Sequence, residues 1–179
     1  MRESTIARNY AEALFASAER SGDAERYAAL IEAVAGAVDA DEKIRIVLES
    51  PRVTKARKQE LLTHALKGRA PDPFVRFLAA MIKRGRQGLI GPVAREYLAL
   101  MDVKQNRVHA GVVLARQPDG KLEKDIVRRL SEVFGKTVVP HFREDPAILG
   151  GVIVRVGDQV MDGSLRRKLL VLRRQMLGA

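Results

Sequence analysis

Along the first hundred residues, apolar positions recur every three or four residues, the spacing of one face of a helix. Ser4 to Arg20 reads as a helix with Ile6, Tyr10, Ala13, Leu14 and Ala18 on one side, and Ala7, Ala11 and Phe15 widening it. Ser21-Gly22-Asp23 ends it and can cap the next. Tyr27, Leu30, Ile31, Val34 and Val38 stripe a second helix. Asp41 to Glu49 predicts a short third, with Ile44, Val47 and Leu48 inward, stopped at Ser50-Pro51 because the residue before proline is pushed out of helical geometry. Thr54 to Leu66 predicts a fourth, with Leu61, Leu62, Ala65 and Leu66 apolar. Its first turn carries Lys55, Arg57 and Lys58, against the helix dipole. Phe74, Phe77, Leu78, Met81 and Ile82 form the cleanest stripe in the chain, opened by Asp72-Pro73 and closed by Gly85 and Gly88. Ile90, Val93, Tyr97, Leu100 and Met101 carry a sixth helix to about Asn106.

After Asn106 the period drops to two. Val108, Ala110, Val112 and Leu114 alternate as in a strand with one buried face. Leu122, Ile126, Leu130 and Val133 mark a helix from about Lys121 to Phe134, closed by Gly135. Thr137 to Phe142 predicts a second strand, which Pro140 demotes to an edge or a bulge. Val152, Val154 and Val156 alternate before Gly157-Asp158, a two-residue hairpin signal. Asp162-Gly163-Ser164 then breaks the strand and caps a last helix. There Leu165, Leu169, Leu172 and Met176 share a narrow stripe, while Leu170, Val171 and Leu177 fall well round from it. One narrow core cannot take them all. The helix is either enveloped by its own domain or is in part a docking surface, and Arg166, Arg167, Arg173 and Arg174 favour docking. The pattern predicts a mainly α chain: a six-helix bundle over 1–106, then a small α+β domain over 107–179.

Charge adds an asymmetry. The chain of 179 residues carries +10 overall. Residues 1–50 hold six Lys/Arg against ten Asp/Glu, residues 51–106 twelve against four, and residues 107–179 fourteen against eight. Such a surface suits nucleic acid, anionic lipid or an acidic protein partner. Aromatic content of 4% weakens a base-stacking role. The absence of cysteine excludes disulfides and thiolate chemistry. No run approaches the eighteen apolar residues of a membrane span. The opening residues lack an apolar signal core, and Glu3, Glu12 and Glu19 argue against a transit peptide.

Chemistry is sparse. His64, His109 and His141 stand far apart in sequence, in no metal-ligand spacing. Gly135-Lys136-Thr137 ends like a phosphate-binding loop, but Leu130 stands where that motif needs glycine and a strand follows instead of a helix. The segment at Ser164 is not a nucleophile elbow, since Asp162 and Leu165 occupy the wrong places. Lys83 to Arg86 reads first as a basic helix C-terminus that complements the dipole. No catalytic, cofactor or metal site is expected.

Two stretches carry a resemblance. "GGVIVRVGD" and "DGSLRRKL", within Val138 to Arg174, resemble the C-terminal signature of the delta subunit family of bacterial F-type ATP synthases, relatives of the mitochondrial oligomycin sensitivity-conferring protein. "ARNYAEALF" at Ala7 to Phe15 is similar to the N-terminal signature of the same family. The resemblance implies a non-catalytic connector in the peripheral stalk, linking the catalytic head to the b subunits and resisting rotational torque. It implies that the N-terminal helix of an alpha subunit packs on the first and fifth helices, here Ala7, Tyr10, Ala11, Leu14, Phe77, Leu78, Met81 and Ile82. Leu14→Asp or Met81→Asp is then expected to weaken that binding. It implies contacts with the b subunits at Val152, Val154, Arg166, Arg167, Leu170, Arg173, Arg174 and Leu177. Membrane association would be indirect, at the cytoplasmic face of a bacterial inner membrane, with no cofactor, no small-molecule substrate and no nucleic acid. The competing reading from charge alone is a basic nucleic-acid-binding protein with a helical domain.

Overall fold

The computed structural model describes the backbone of residues 2–177 and the side chains of residues 3–176. The chain is mainly helical with one small sheet, and it divides into two compact units between Met101 and Asp102.

The first unit is built from α1 (Arg2–Ser21), α2 (Ala24–Ala40), α3 (Glu42–Glu49), α4 (Lys55–Leu66), α5 (Asp72–Lys83) and most of α6 (Ile90–Lys104), with a 3-10 turn at Gln87–Leu89. Four of these helices make the core. Ala7, Ala11, Leu14 and Ala18 of α1 meet Tyr27 and Ile31 of α2, Phe74, Leu78 and Met81 of α5, and Val93 and Tyr97 of α6. The small α1 residues leave room for rings. Phe15 and Tyr97 meet edge to face at 5.5 Å, and Tyr27 and Phe74 at 5.4 Å, a favoured aromatic geometry. The Tyr97 hydroxyl donates to the Ala24 carbonyl at 2.9 Å, and burial, with Tyr27 close by, pushes its pKa well up.

The other two helices depart from the expected inward stripes. α3 buries no residue: Val47 and Leu48 are half-buried and Ile44 is exposed. On α4, Leu62 and Leu66 lean on the core, whereas Leu61 stays exposed. Polar bonds tie α4 to α5 instead. Gln59 Nε2 donates to the Ala79 carbonyl at 2.8 Å, and Lys55 Nζ to the Lys83 carbonyl at 3.2 Å. Lys55 opposes its own helix dipole but complements the C-terminus of α5.

The second unit holds β1 (Arg107–Leu114), α7 (Gly120–Phe134), β2 (Thr137–Glu144), β3 (Val152–Val156), β4 (Gln159–Asp162) and α8 (Leu165–Leu177). The sheet order is β2-β1-β3-β4. β1 and β2 are parallel, joined through α7, while β1 with β3 and β3 with β4 are antiparallel. Pro140 thus lies on an edge strand, where its missing donor costs least. Ala110, Val112, Leu114, Val138 and Val154 form the core, with Ile126, Leu130 and Phe134 of α7 packed against it. Val133, expected inward, is exposed, and Phe134 takes its place. Gly135, at φ +62, caps α7, so the Gly-Lys-Thr run is a helix end and a strand start.

Candidate partner interfaces

The chemistry of "GGVIV" and "DGS" is backbone approach. Leu149, Gly150 and Gly151 follow a 3-10 turn with φ of 64°, 156° and 80°. This bend lays the chain against the start of α8. A Cβ on Gly151 would stand 2.3 Å from the Gly163 carbonyl oxygen, and one on Gly163 would stand 3.1 Å from the Val152 oxygen. Gly163 N–H donates to the Val152 carbonyl and Leu165 N–H to the Gly150 carbonyl, both at 2.9 Å. Ser164, buried, accepts the Arg167 N–H on its Oγ at 3.1 Å, while Asp162 Oδ1 accepts the Ser164 N–H at 2.9 Å. Hydrogen bonds from the Ser164 hydroxyl and N–H, with Arg167 nearby, hold the Asp162 carboxyl below its ordinary pKa.

The anchor grips only the first turn of α8. Beyond it, Leu165, Leu169, Leu170, Val171, Leu172 and Met176 are 45 to 86% exposed. The stripe is therefore not core, and its own domain does not envelop it. Arg166, Arg167, Arg173 and Arg174 are exposed, and none has a described carboxylate within ion-pair distance. At about 1.5 Å per residue the helix offers roughly 20 Å of apolar and cationic surface. Val154 and Val152, expected at the same interface, sit instead in the sheet core, buried and half-buried. The Leu177 side chain lies outside the described residues.

The expected α1/α5 surface divides differently. Ala7, Ala11, Leu14, Leu78, Met81 and Ile82 are fully buried, the first five of them in the core cluster of the first unit. Tyr10 and Phe77 remain half-buried at the surface, edge to face at 6.0 Å. Leu14→Asp and Met81→Asp would thus place a charge in the core and test folding, not binding.

One cluster has no signal in the spacing of the chain. The parallel register sets His109 beside Val139 and Gly111 beside His141, so the two imidazoles stack at 5.1 Å. His109 Nδ1 lies 2.8 Å from His141 Nε2, and His109 Nε2 lies 3.1 Å from Asp102 Oδ2. Asp102 Oδ1 also accepts Arg107 at 3.0 Å. Only strand pairing brings these histidines together. Among the described residues no group of three or more His, Cys, Asp or Glu is arranged to hold a metal. The cluster ties the end of α6 to β1. No helix among the described residues is long and apolar enough to cross a membrane.

A family model described as "ATP synthase delta (OSCP) subunit" matches residues 6–176. The ATP synthase subunit delta of Gemmatimonas aurantiaca is 51% identical over 174 residues, covering 97% of this chain and 94% of that one. The subunit delta of Anaeromyxobacter sp. is 35% identical, covering 96% and 97%. A chain of the Toxoplasma gondii mitochondrial ATP synthase hexamer shares the fold, with a TM-score of 0.68 at 22% identity over 96% of this chain and 97% of that one. The chain therefore belongs to the ATP synthase delta (OSCP) subunit family, as a non-catalytic peripheral-stalk subunit of the F-type ATP synthase.

Proposed function

We propose that this chain holds the catalytic head to the stalk through one surface on each unit. Residues 1–106 act as a six-helix bundle toward the head, with Tyr10 and Phe77 as the contact for the N-terminal helix of an alpha subunit and the six buried residues behind them as its support. Residues 107–179 act toward the b subunits through α8. The exposure of six apolar side chains on a helix anchored only at its first turn carries this reading. A helix so placed gains its stability from a partner that covers it. Four arginines select a partner of opposite sign and fix its register, while buried apolar area slows its release. Slow release is what resistance to torque requires. The complex would sit at the cytoplasmic face of a bacterial inner membrane, with this chain attached through its partners.

Both surfaces are tested by titrating the full chain with a peptide from the N-terminus of an alpha subunit and, separately, with a fragment from the C-terminal end of a b subunit. Leu169→Asp with Leu172→Asp should abolish b binding and spare the alpha peptide. Tyr10→Ala with Phe77→Ala should do the reverse. Each wild-type association should show a negative heat-capacity change, the mark of apolar burial. Unchanged binding of both partners by both folded double variants would sink the proposal.

A further inference from the structure

The first unit carries an apolar groove that neither proposed partner surface uses. It is walled by α2, α3 and α4, has a volume of about 460 Å³, and is lined by carbon side chains that include Val38, Ile44, Val47, Leu48, Leu61 and Leu62. None of its lining residues comes from α1, α5 or α8. The volume falls in the range of roughly 300–1,000 Å³ typical of small-ligand sites.

Two lysines interrupt this lining, Lys43 and Lys58. Lys58 is only 4% exposed, and its ammonium has no hydrogen-bond or ion-pair partner among the described residues. A lysine so covered is almost never left unpaired. It also stands in the first turn of α4, where the helix dipole already favours an anion over a cation. The wall residues Ile44 and Leu61 are 39 and 42% exposed, so the groove is open to solvent along its walls. An acidic head on an apolar chain complements a cation set in a carbon lining.

We propose that this groove binds an amphiphile with one anionic head and an unbranched apolar chain, of the long-chain carboxylate class, with Lys58 pairing the carboxylate and α3 and α4 flanking the chain. The site is separate from the partner surfaces proposed above and stands or falls without them.

The test uses decanoate and 1-decanol below their aggregation limits, titrated into the full chain with methyl-resolved NMR. Decanoate should shift the methyls of Ile44, Val47 and Leu61 and bind at least ten times more tightly than decanol. Lys58→Met keeps the apolar stem and should erase that preference, while Lys58→Arg should retain it. Ile44→Asp, on an exposed wall and so tolerable to the fold, should weaken both ligands. The proposal is overturned if decanoate fails to bind, if the wild type binds acid and alcohol alike, or if Lys58→Met keeps the preference. It is also overturned if an acidic amphipathic helix displaces decanoate and binds more tightly, which would make the groove a protein-docking site.

Discussion

α5 and α8 are nearly the same length and both repeat apolar residues at three and four, yet they meet opposite fates. α5 buries Phe74, Leu78, Met81 and Ile82 to 0% exposure. α8 leaves every apolar side chain described in it about half exposed or more. Periodicity says that a helix has a face; it does not say which molecule covers it. The distinguishing mark lies beside the stripe. α5 carries few charges and one clean face, whereas α8 spreads apolar residues round its circumference and interleaves arginines that a core could not hold unpaired.

The largest contrast should come from placing the same charge on each helix. Met81→Asp buries a carboxylate where no partner stands, and should cost about 3–5 kcal/mol, enough to unfold the first unit in a denaturant titration. Leu172→Asp, already facing solvent, should change stability by no more than about 0.5 kcal/mol. Equal losses from the two variants would mean that α8 packs within its own chain, and the docking reading would go with it.

The elements of both units were legible in the spacing of apolar residues, and so was the hairpin at Gly157-Asp158, while Pro140 narrowed its strand to an edge or a bulge and the strand order selects the edge. What spacing could not convey was depth. Six of the eight residues expected to face an alpha-subunit helix point into the core, because residues on a helical face shared by α1 and α5 are separated from solvent only by what lies above them. Tyr10 and Phe77 are that outermost layer. α3 fails in the other direction: eight residues are too few to reach a core already filled by four longer helices, so its apolar side becomes a groove wall. The His109–His141 pair was illegible for a third reason, since it depends on the register of two strands joined through α7.

A second contrast is in how the helices are held. α5 is fixed by side chains and α8 by glycine backbone, so Gly151→Ala should loosen α8 and leave α5 intact. The substitution combines a φ of +80 with a Cβ against the Gly163 oxygen. It should cost about 2–3 kcal/mol, read as hydrogen exchange at α8 and β3. Gly157→Ala is the control. It has a similar φ of +55 but nothing within 4 Å, so only the backbone strain of about 1–2 kcal/mol remains. If both variants lose the same amount, close approach contributes nothing to the anchor.

Lys55 offers a smaller effect, at the other helix. Its ammonium closes the C-terminus of α5 through the Lys83 carbonyl. Lys55→Met should remove about 0.5–1 kcal/mol from the first unit in thermal melts. A loss confined to α4 amides would instead show that the bond serves α4 alone.

The smallest effect separates the helices by pH. The carboxyl of Asp162 has its pKa lowered from 3.8, chiefly by hydrogen bonds from Ser164. A group depressed in the folded state stabilises it fully above its unfolded value and loses that contribution as pH falls through the folded one. The start of α8 should therefore hold its exchange protection above about pH 4 and lose part of it below, as the carboxylate that accepts Ser164 N–H takes up a proton. Asp162→Asn should remove the pH dependence while leaving the geometry of the turn. α5, whose hold is apolar, should keep its protection over the same interval. Parallel loss at both helices would mean that acid acts on the whole fold, and the capping carboxylate would have no separate part in presenting α8.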